Sequence, residues 1–248
     1  MSVALLHYHA RSRQYVAAVP FTDFVVARIQ AGEKRITEGA RQATAATGDY
    51  LVVSPGILLN VENLPASDGP YQSSCLAVSR ELLQKAWPAE AAPSRWTVLR
   101  AYPVLDQAFA HAEQGLRDEL PQAVLVHRVR ELLEALGIGG FRPAPGGDAG
   151  IAERVRMLLA TDPQQSWRAE DVAAQLAMSP ATLRRRLAAE GTSFRAVLEE
   201  TRLARALTLI QTTTLPLKHI ADDCGYLSPS RFAARFRQRF GSLPSDLR

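Results

Sequence analysis

Phe232, Phe236 and Phe240 recur every four residues behind Ser228-Pro229 and ahead of Gly241. At about 100° per residue these rings form one apolar stripe that must be buried against a partner surface. Ser228 offers a side-chain oxygen to the unpaired amides of a first helical turn. Pro229 gives up an amide hydrogen that would have had no intrahelical acceptor, and Gly241 ends the helix. On the same wheel Ser230, Arg231, Ala234 and Gln238 point away from the stripe. Just upstream, residues 217–226 (LKHIADDCGY) read as a short amphipathic helix closed by a glycine turn of the length found in a helix-turn-helix. Units of that kind lay their second helix in the DNA major groove.

The pattern occurs a second time, about 49 residues earlier. Residues 168–178 predict a helix with Val172, Ala173 and Leu176 on its apolar side, and Ser179-Pro180 repeats the cap and first-turn proline before ATLRRRL. Leu183 and Leu187 take the buried stripe there. Arg185 then lies near the centre of the opposite face, with Ala181 and Thr182 beside it, Arg184 at its edge and Arg186 nearer the buried side. Between the two units, residues 193–211 carry Phe194, Val197, Leu198, Leu203, Leu207 and Ile210 at helical spacing. Nineteen residues at about 1.5 Å each make a strut of about 28 Å, comparable to the ~34 Å of one DNA turn. One chain is therefore expected to present two recognition helices to successive major grooves.

Residues 151–248 resemble the DNA-binding domain of the AraC family of bacterial transcription regulators. The resemblance rests on WRAEDVAAQLAMSPATLRRRL in the first unit, on EGTSF and RLARAL in the linker helix, and on IADDCGYLSPSRFAARF and FGSLPS in the second. It implies base contacts from Ala181, Thr182, Arg184 and Arg185 and from Pro229, Ser230, Arg231 and Ala234. Position 234, often arginine in the family, is alanine here, which shifts readout toward Arg231 or Arg235; the customary tyrosine near the end is Leu247. Arg185 and Arg231 are the expected base readers, and Arg184, Arg195, Arg202, Arg235, Arg237 and Arg239 the phosphate candidates. The family also implies promoter activation beside RNA polymerase.

Charge divides along the same line. Residues 1–150 hold 14 basic and 15 acidic side chains, whereas residues 151–248 hold 15 and 10, so the positive excess lies where phosphates are expected. Cys75 and Cys224 show no metal-ligand spacing and fit a reducing cytoplasm. No run reaches membrane-span length, and the first residues lack the regions of an export signal, so a cytoplasmic protein is expected. Without a phosphate loop, a nucleophile elbow or a Cys/His cluster, the chain reads as a regulator and not an enzyme, with no cofactor.

The whole is expected to be α+β in two domains: a cupin-like β-barrel or sandwich followed by helices, then an all-α domain. Residues 24–29, 50–54, 57–61 and 73–79 read as strands between turn residues, within a strand region 1–79. GDYLVVSPG, at 48–56, is similar to the strand-turn-strand element of the cupin-like domain that many AraC-family members carry. No histidine lies between His9 and His111, which removes the ligand set of a metal-dependent cupin. From residue 80 the period lengthens, and 81–87, 104–116 and 122–136 read as helices within 80–136. In the last, Val124, Leu125, Arg128, Leu132 and Leu136 share a side. They pack against the barrel or preceding helix, or, as the family resemblance favours, form a homodimer seam. Residues 137–150, rich in glycine and proline, read as the linker. Domain 1–136 is thus the regulatory unit. A small apolar effector would meet Tyr15, Lys34, Arg35 and Tyr50; control by a regulatory protein is the alternative.

Overall fold

The computed structural model describes residues 3–87, 94–143 and 150–247. The chain divides into two compact units, Met1–Gly146 and Gly147–Arg248. Two antiparallel sheets build the first. One orders its strands β1 (Val3–Ala10), β8 (Tyr71–Val78), β3 (Phe24–Ala31), β6 (Tyr50–Val53) and β9 (Trp96–Leu99). The other runs β2 (Gln14–Phe21), β7 (Ile57–Leu64), β4 (Glu33–Glu38) and β5 (Arg41–Ala46).

Strand alternation sorts the side chains into two cores. On the five-stranded sheet Ala27, Ile29, Leu51, Val53, Tyr71 and Cys75 face Ile36, Ala45, Leu59 and Val61 of the four-stranded one. Its other face carries Phe24, Val26, Tyr50, Val52, Leu76 and Val78, and packs against helices α1 (Arg80–Ala86), α2 (Pro103–Arg117) and α3 (Gln122–Ile138). The order of layers is sheet, sheet, helices. Tyr50 donates from Oη to Asp106 Oδ1 at 2.6 Å and its ring meets Phe109 edge-on at 5.4 Å, which fixes α2 to β6.

Three expectations change here. Strand β9 interrupts the stretch read as purely helical; Trp96, 1 % exposed, returns the chain to the edge of the sheet beside β6. The expected linker starts too early, because α3 runs to Ile138 and Phe141 is buried against Phe24, so residues 137–143 belong to the first unit. Only residues 144–149 of that stretch, like the Ala/Pro-rich 88–93, lie outside the described residues. Third, Leu132 and Leu136 of the supposed dimer seam are 1 % and 0 % exposed in the core beneath α1 and α2. A seam on that face would have to unpack the unit. Leu125 leans over Gly115 of α2, Arg128 pairs with Glu131 at 3.2 Å, and of the five Val124 is the exposed one, at 38 %.

The second unit is helical throughout: α4 (Ile151–Leu159), α5 (Ala169–Gln175), α6 (Pro180–Ala189), α7 (Phe194–Thr212), α8 (Leu217–Asp223) and α9 (Pro229–Phe240), then a 3-10 turn at Pro244–Leu247. Helix α4 escaped the reading of the sequence although Ile151, Val155 and Leu159 recur every four residues; all three are buried with Trp167, Val172, Leu183 and Leu187. Its free first-turn amides are held from outside the helix. Glu190, just past α6, accepts from Ile151 N at 2.6 Å and Ala152 N at 3.0 Å. Leu247, where the family pattern has tyrosine, is buried in the closing turn.

Candidate nucleic-acid interface

Helices α6 and α9 start alike. Ser179 Oγ accepts from Thr182 N at 3.1 Å and Ser228 Oγ from Arg231 N at 3.3 Å, with a proline at the first position of each helix. A serine cap of this kind stabilises its helix by about 1 kcal/mol. In α9 the three phenylalanines are 0–2 % exposed and their rings follow one another at 5.7 and 4.8 Å, with Tyr226 extending the row at 5.3 Å from Phe232. Gly241 takes the left-handed conformation (φ +80°) that stops the helix.

With those stripes buried, the opposite faces are open. Ala181, Arg184 and Arg185 are exposed on α6, and Pro229, Ser230, Arg231 and Ala234 on α9. Thr182 is half-buried and its hydroxyl lies 2.9 Å from Ser179 Oγ, so it serves the cap as well as the face. Arg186, expected nearer the buried side, is exposed. Among the described residues, no carboxylate lies within ion-pair distance of Arg184, Arg185, Arg186 or Arg231. An unpaired guanidinium fork on a groove-facing helix can donate two hydrogen bonds to guanine O6 and N7, or to one phosphate.

The phosphate candidates divide. Arg195 and Arg237 are exposed without an ion-pair partner among the described residues. Arg235 Nε lies 3.3 Å from Glu199, and Arg239 Nη2 2.9 Å from Glu200. Arg202 donates from Nε to Pro163 O and from Nη2 to Gln165 O, both at 3.0 Å. These three are engaged within the protein. Sequence spacing placed them on helices, but their partners come from 36 to 39 residues away and leave no local signal.

The four effector candidates also separate. Tyr15 is 43 % exposed on the outside of β2, Arg35 faces outward toward Glu62 and Glu33, and Tyr50 belongs to the core against α2. Adjacent residues on a strand face opposite ways, so Lys34 and Arg35 never share a pocket. Lys34 alone lies between the sheets, 8 % exposed, its Nζ donating to Asn63 Oδ1 at 2.5 Å and sitting 5.0 Å from the Tyr71 ring centroid. Burial lowers its pKa to about 8. Among the described residues no carboxylate pairs with it, while Gln14 Nε2 is buried in the same unit without a hydrogen-bond partner. Cys75, also between the sheets, has its thiol pushed up to about 12 by burial, which opposes nucleophilic use. His7 Nδ1 lies 3.1 Å from Ser74 Oγ, and no group of three metal-ligating side chains occurs among the described residues.

A helix-turn-helix domain model matches residues 172–248, which span both capped helices. Residues 172–248 therefore carry a helix-turn-helix domain of the type found in AraC-family regulators. An uncharacterized HTH-type transcriptional regulator of Mycobacterium tuberculosis is 41 % identical over 97 residues, 39 % of this chain and 28 % of the relative. The urease operon transcriptional activator of Escherichia coli is 27 % identical over 161 residues, 65 % of this chain and 53 % of the relative. The chain thus spans about a quarter to a half of the length of these curated relatives. In fold, ToxT from Vibrio cholerae matches 99 % of this chain and 96 % of its own, with a TM-score of 0.68 at 16 % identity; another ToxT structure holds an unsaturated fatty acid. The two-sheet unit followed by a helical domain is therefore a fold that ToxT shares. No described helix is long and apolar enough to cross a membrane.

Proposed function

We propose that this protein is a sequence-specific DNA-binding transcription regulator that seats α6 and α9 in successive major grooves of promoter DNA. The observation that carries this reading is the pair of serine-capped, proline-initiated helices whose outward faces hold arginines without carboxylate partners, joined by the 19-residue α7 of about 28 Å. Arg185 and Arg231 read base edges; Arg184, Arg195 and Arg237 hold phosphates. Activation, through contact with RNA polymerase beside the site, is supported by the likeness to the urease operon activator.

Selection of genomic fragments by the full chain at fixed salt tests this. One site about two major grooves long should be enriched; a bound pool indistinguishable from the input overturns the reading. Salt sorts the arginines further. Each phosphate contact contributes about −0.9 to the slope of log Kobs against log salt on duplex DNA. Arg237→Ala should flatten the slope by about that amount, and Arg239→Ala, already paired with Glu200, should leave it nearly unchanged.

A second reading concerns the first unit. Lys34, a buried ammonium with no carboxylate partner, suits the acid group of a small, mostly apolar effector lying between the sheets. The fatty acid in ToxT supports this chemistry. A ligand that binds only the folded chain raises its melting temperature. Oleate and palmitoleate should do so for the wild type and lose the effect in Lys34→Met. If neither acid shifts the wild type, regulation by a protein partner becomes the better account.

A further inference from the structure

The two capped helices can read a bipartite site only if their separation and relative rotation are held, because one added base pair moves a half-site by about 3.4 Å and about 34°. We infer that Arg202, with Glu200 beside it, fixes that posture: a positioning residue that sets the spacing of the bipartite site. This inference rests on the DNA-binding reading above.

The geometry is a clamp. From α7, Arg202 reaches the loop that precedes α5 in the first helix-turn-helix, where Nε and Nη2 each donate to a main-chain oxygen, Pro163 O and Gln165 O. The same guanidinium lies against the turn of the second helix-turn-helix. A Cβ added at Gly225, whose φ is +74°, would stand 2.6 Å from Arg202 Nη2 and 2.7 Å from its Cζ. Gly225 is thus required by its backbone, and a side chain there would also push the guanidinium away. One planar group touches the front of one reading unit and the turn of the other.

Two further bridges run in parallel. Gln164, between the two carbonyls that Arg202 holds, donates to Asp223 Oδ1 of α8 at 2.9 Å. Glu200 accepts from Arg239 of α9 at 2.9 Å and lies 3.5 Å from Arg156 Nη2 of α4, so its carboxylate also ties α9 to α4 across α7. Only arginine fits position 202 as the clamp needs. Lysine carries the charge on a point donor and lacks the planar fork that reaches two carbonyls while lying against Gly225.

The test is affinity of the full chain for the selected site and for versions with one or two base pairs added or removed between the half-sites. Wild type should show a sharp optimum. Arg202→Ala should lose roughly tenfold or more at the optimum and much less at the altered spacings, which flattens the profile, because rigid linkage supplies the gain of binding two half-sites at once. The slope against salt should stay unchanged, since Arg202 touches no phosphate. Arg202→Lys keeps the charge and much of the packing, and should flatten the spacing profile while its far-UV spectrum and melting temperature stay near wild type. A sharp, unshifted optimum in Arg202→Lys overturns the inference, as does a reduced salt slope in either variant. Failure of wild type to enrich any site would instead remove the DNA-binding reading, and this inference with it.

Discussion

Replacing Arg185 and Arg231 together with alanine should lower affinity for the selected site by about 30-fold to 20,000-fold, while binding to random DNA falls by less than about tenfold. The range follows from about 1–3 kcal/mol of discrimination for each bidentate arginine–guanine pair, taken twice. Additivity is reasonable because the two arginines sit on separate helices with no shared partner. Neither side chain is part of a buried stripe or an internal ion pair, so the variant should fold, with far-UV circular dichroism unchanged. Competition titration of labelled cognate duplex against random duplex at one salt concentration separates the terms. Equal loss on both duplexes would mean that these arginines serve only as phosphate contacts and that readout lies elsewhere on the two faces. Ala234 makes the experiment sharper: with no long side chain at that position of α9, Arg231 has no neighbour there to take over its contact.

The second unit was legible because its information is local. Serine caps, first-turn prolines, a stopping glycine and a four-residue phenylalanine period each act within one or two turns, and α6 and α9 follow from them nearly to the residue. What spacing could not reveal is the use of arginines. Arg202, Arg235 and Arg239 carry the same side chain as Arg195 and Arg237, but carbonyls and carboxylates 36 to 39 residues away engage the first three. The first unit was less legible for a related reason. Its strands are half-buried on two different cores, so the alternation of β1, β2 and β5 is diluted by intermediate positions, and β9 is a strand only through its pairing with β6. In the sequence Lys34 and Tyr50 read alike, as polar or aromatic groups that could face a pocket. Register decides that one faces the space between the sheets and the other the helices.

Stability measured against pH should expose the cost of Lys34. Its pKa is about 8 in the folded chain against 10.5 when unfolded, with burial as the cause. Below pH 8 both states are protonated and the folded chain bears the full cost of a buried ammonium. Between pH 8 and 10.5 the folded chain gives up the proton first, the unfolded chain binds more protons, and stability rises with pH. Above that window both are neutral and the cost is gone. At about 1.4 kcal/mol per pKa unit the rise amounts to about 3 kcal/mol. Other groups oppose it: burial holds the hydroxyls of Tyr8 and Tyr71 above their ordinary range, which lowers stability as the unfolded tyrosines ionise near the top of the window. The quantity to read is therefore the difference between wild type and Lys34→Met, in which those contributions cancel. Urea titrations at pH 7 and at pH 10.5 should show wild type gaining about 3 kcal/mol on the variant across the interval. A difference that stays flat would mean that Lys34 keeps contact with water and is no anchor. A difference that moves as expected also fixes the pH dependence of any carboxylate effector. A carboxylate beside Lys34 favours the charged amine, so binding should be tightest below pH 8 and weaken as that proton is lost.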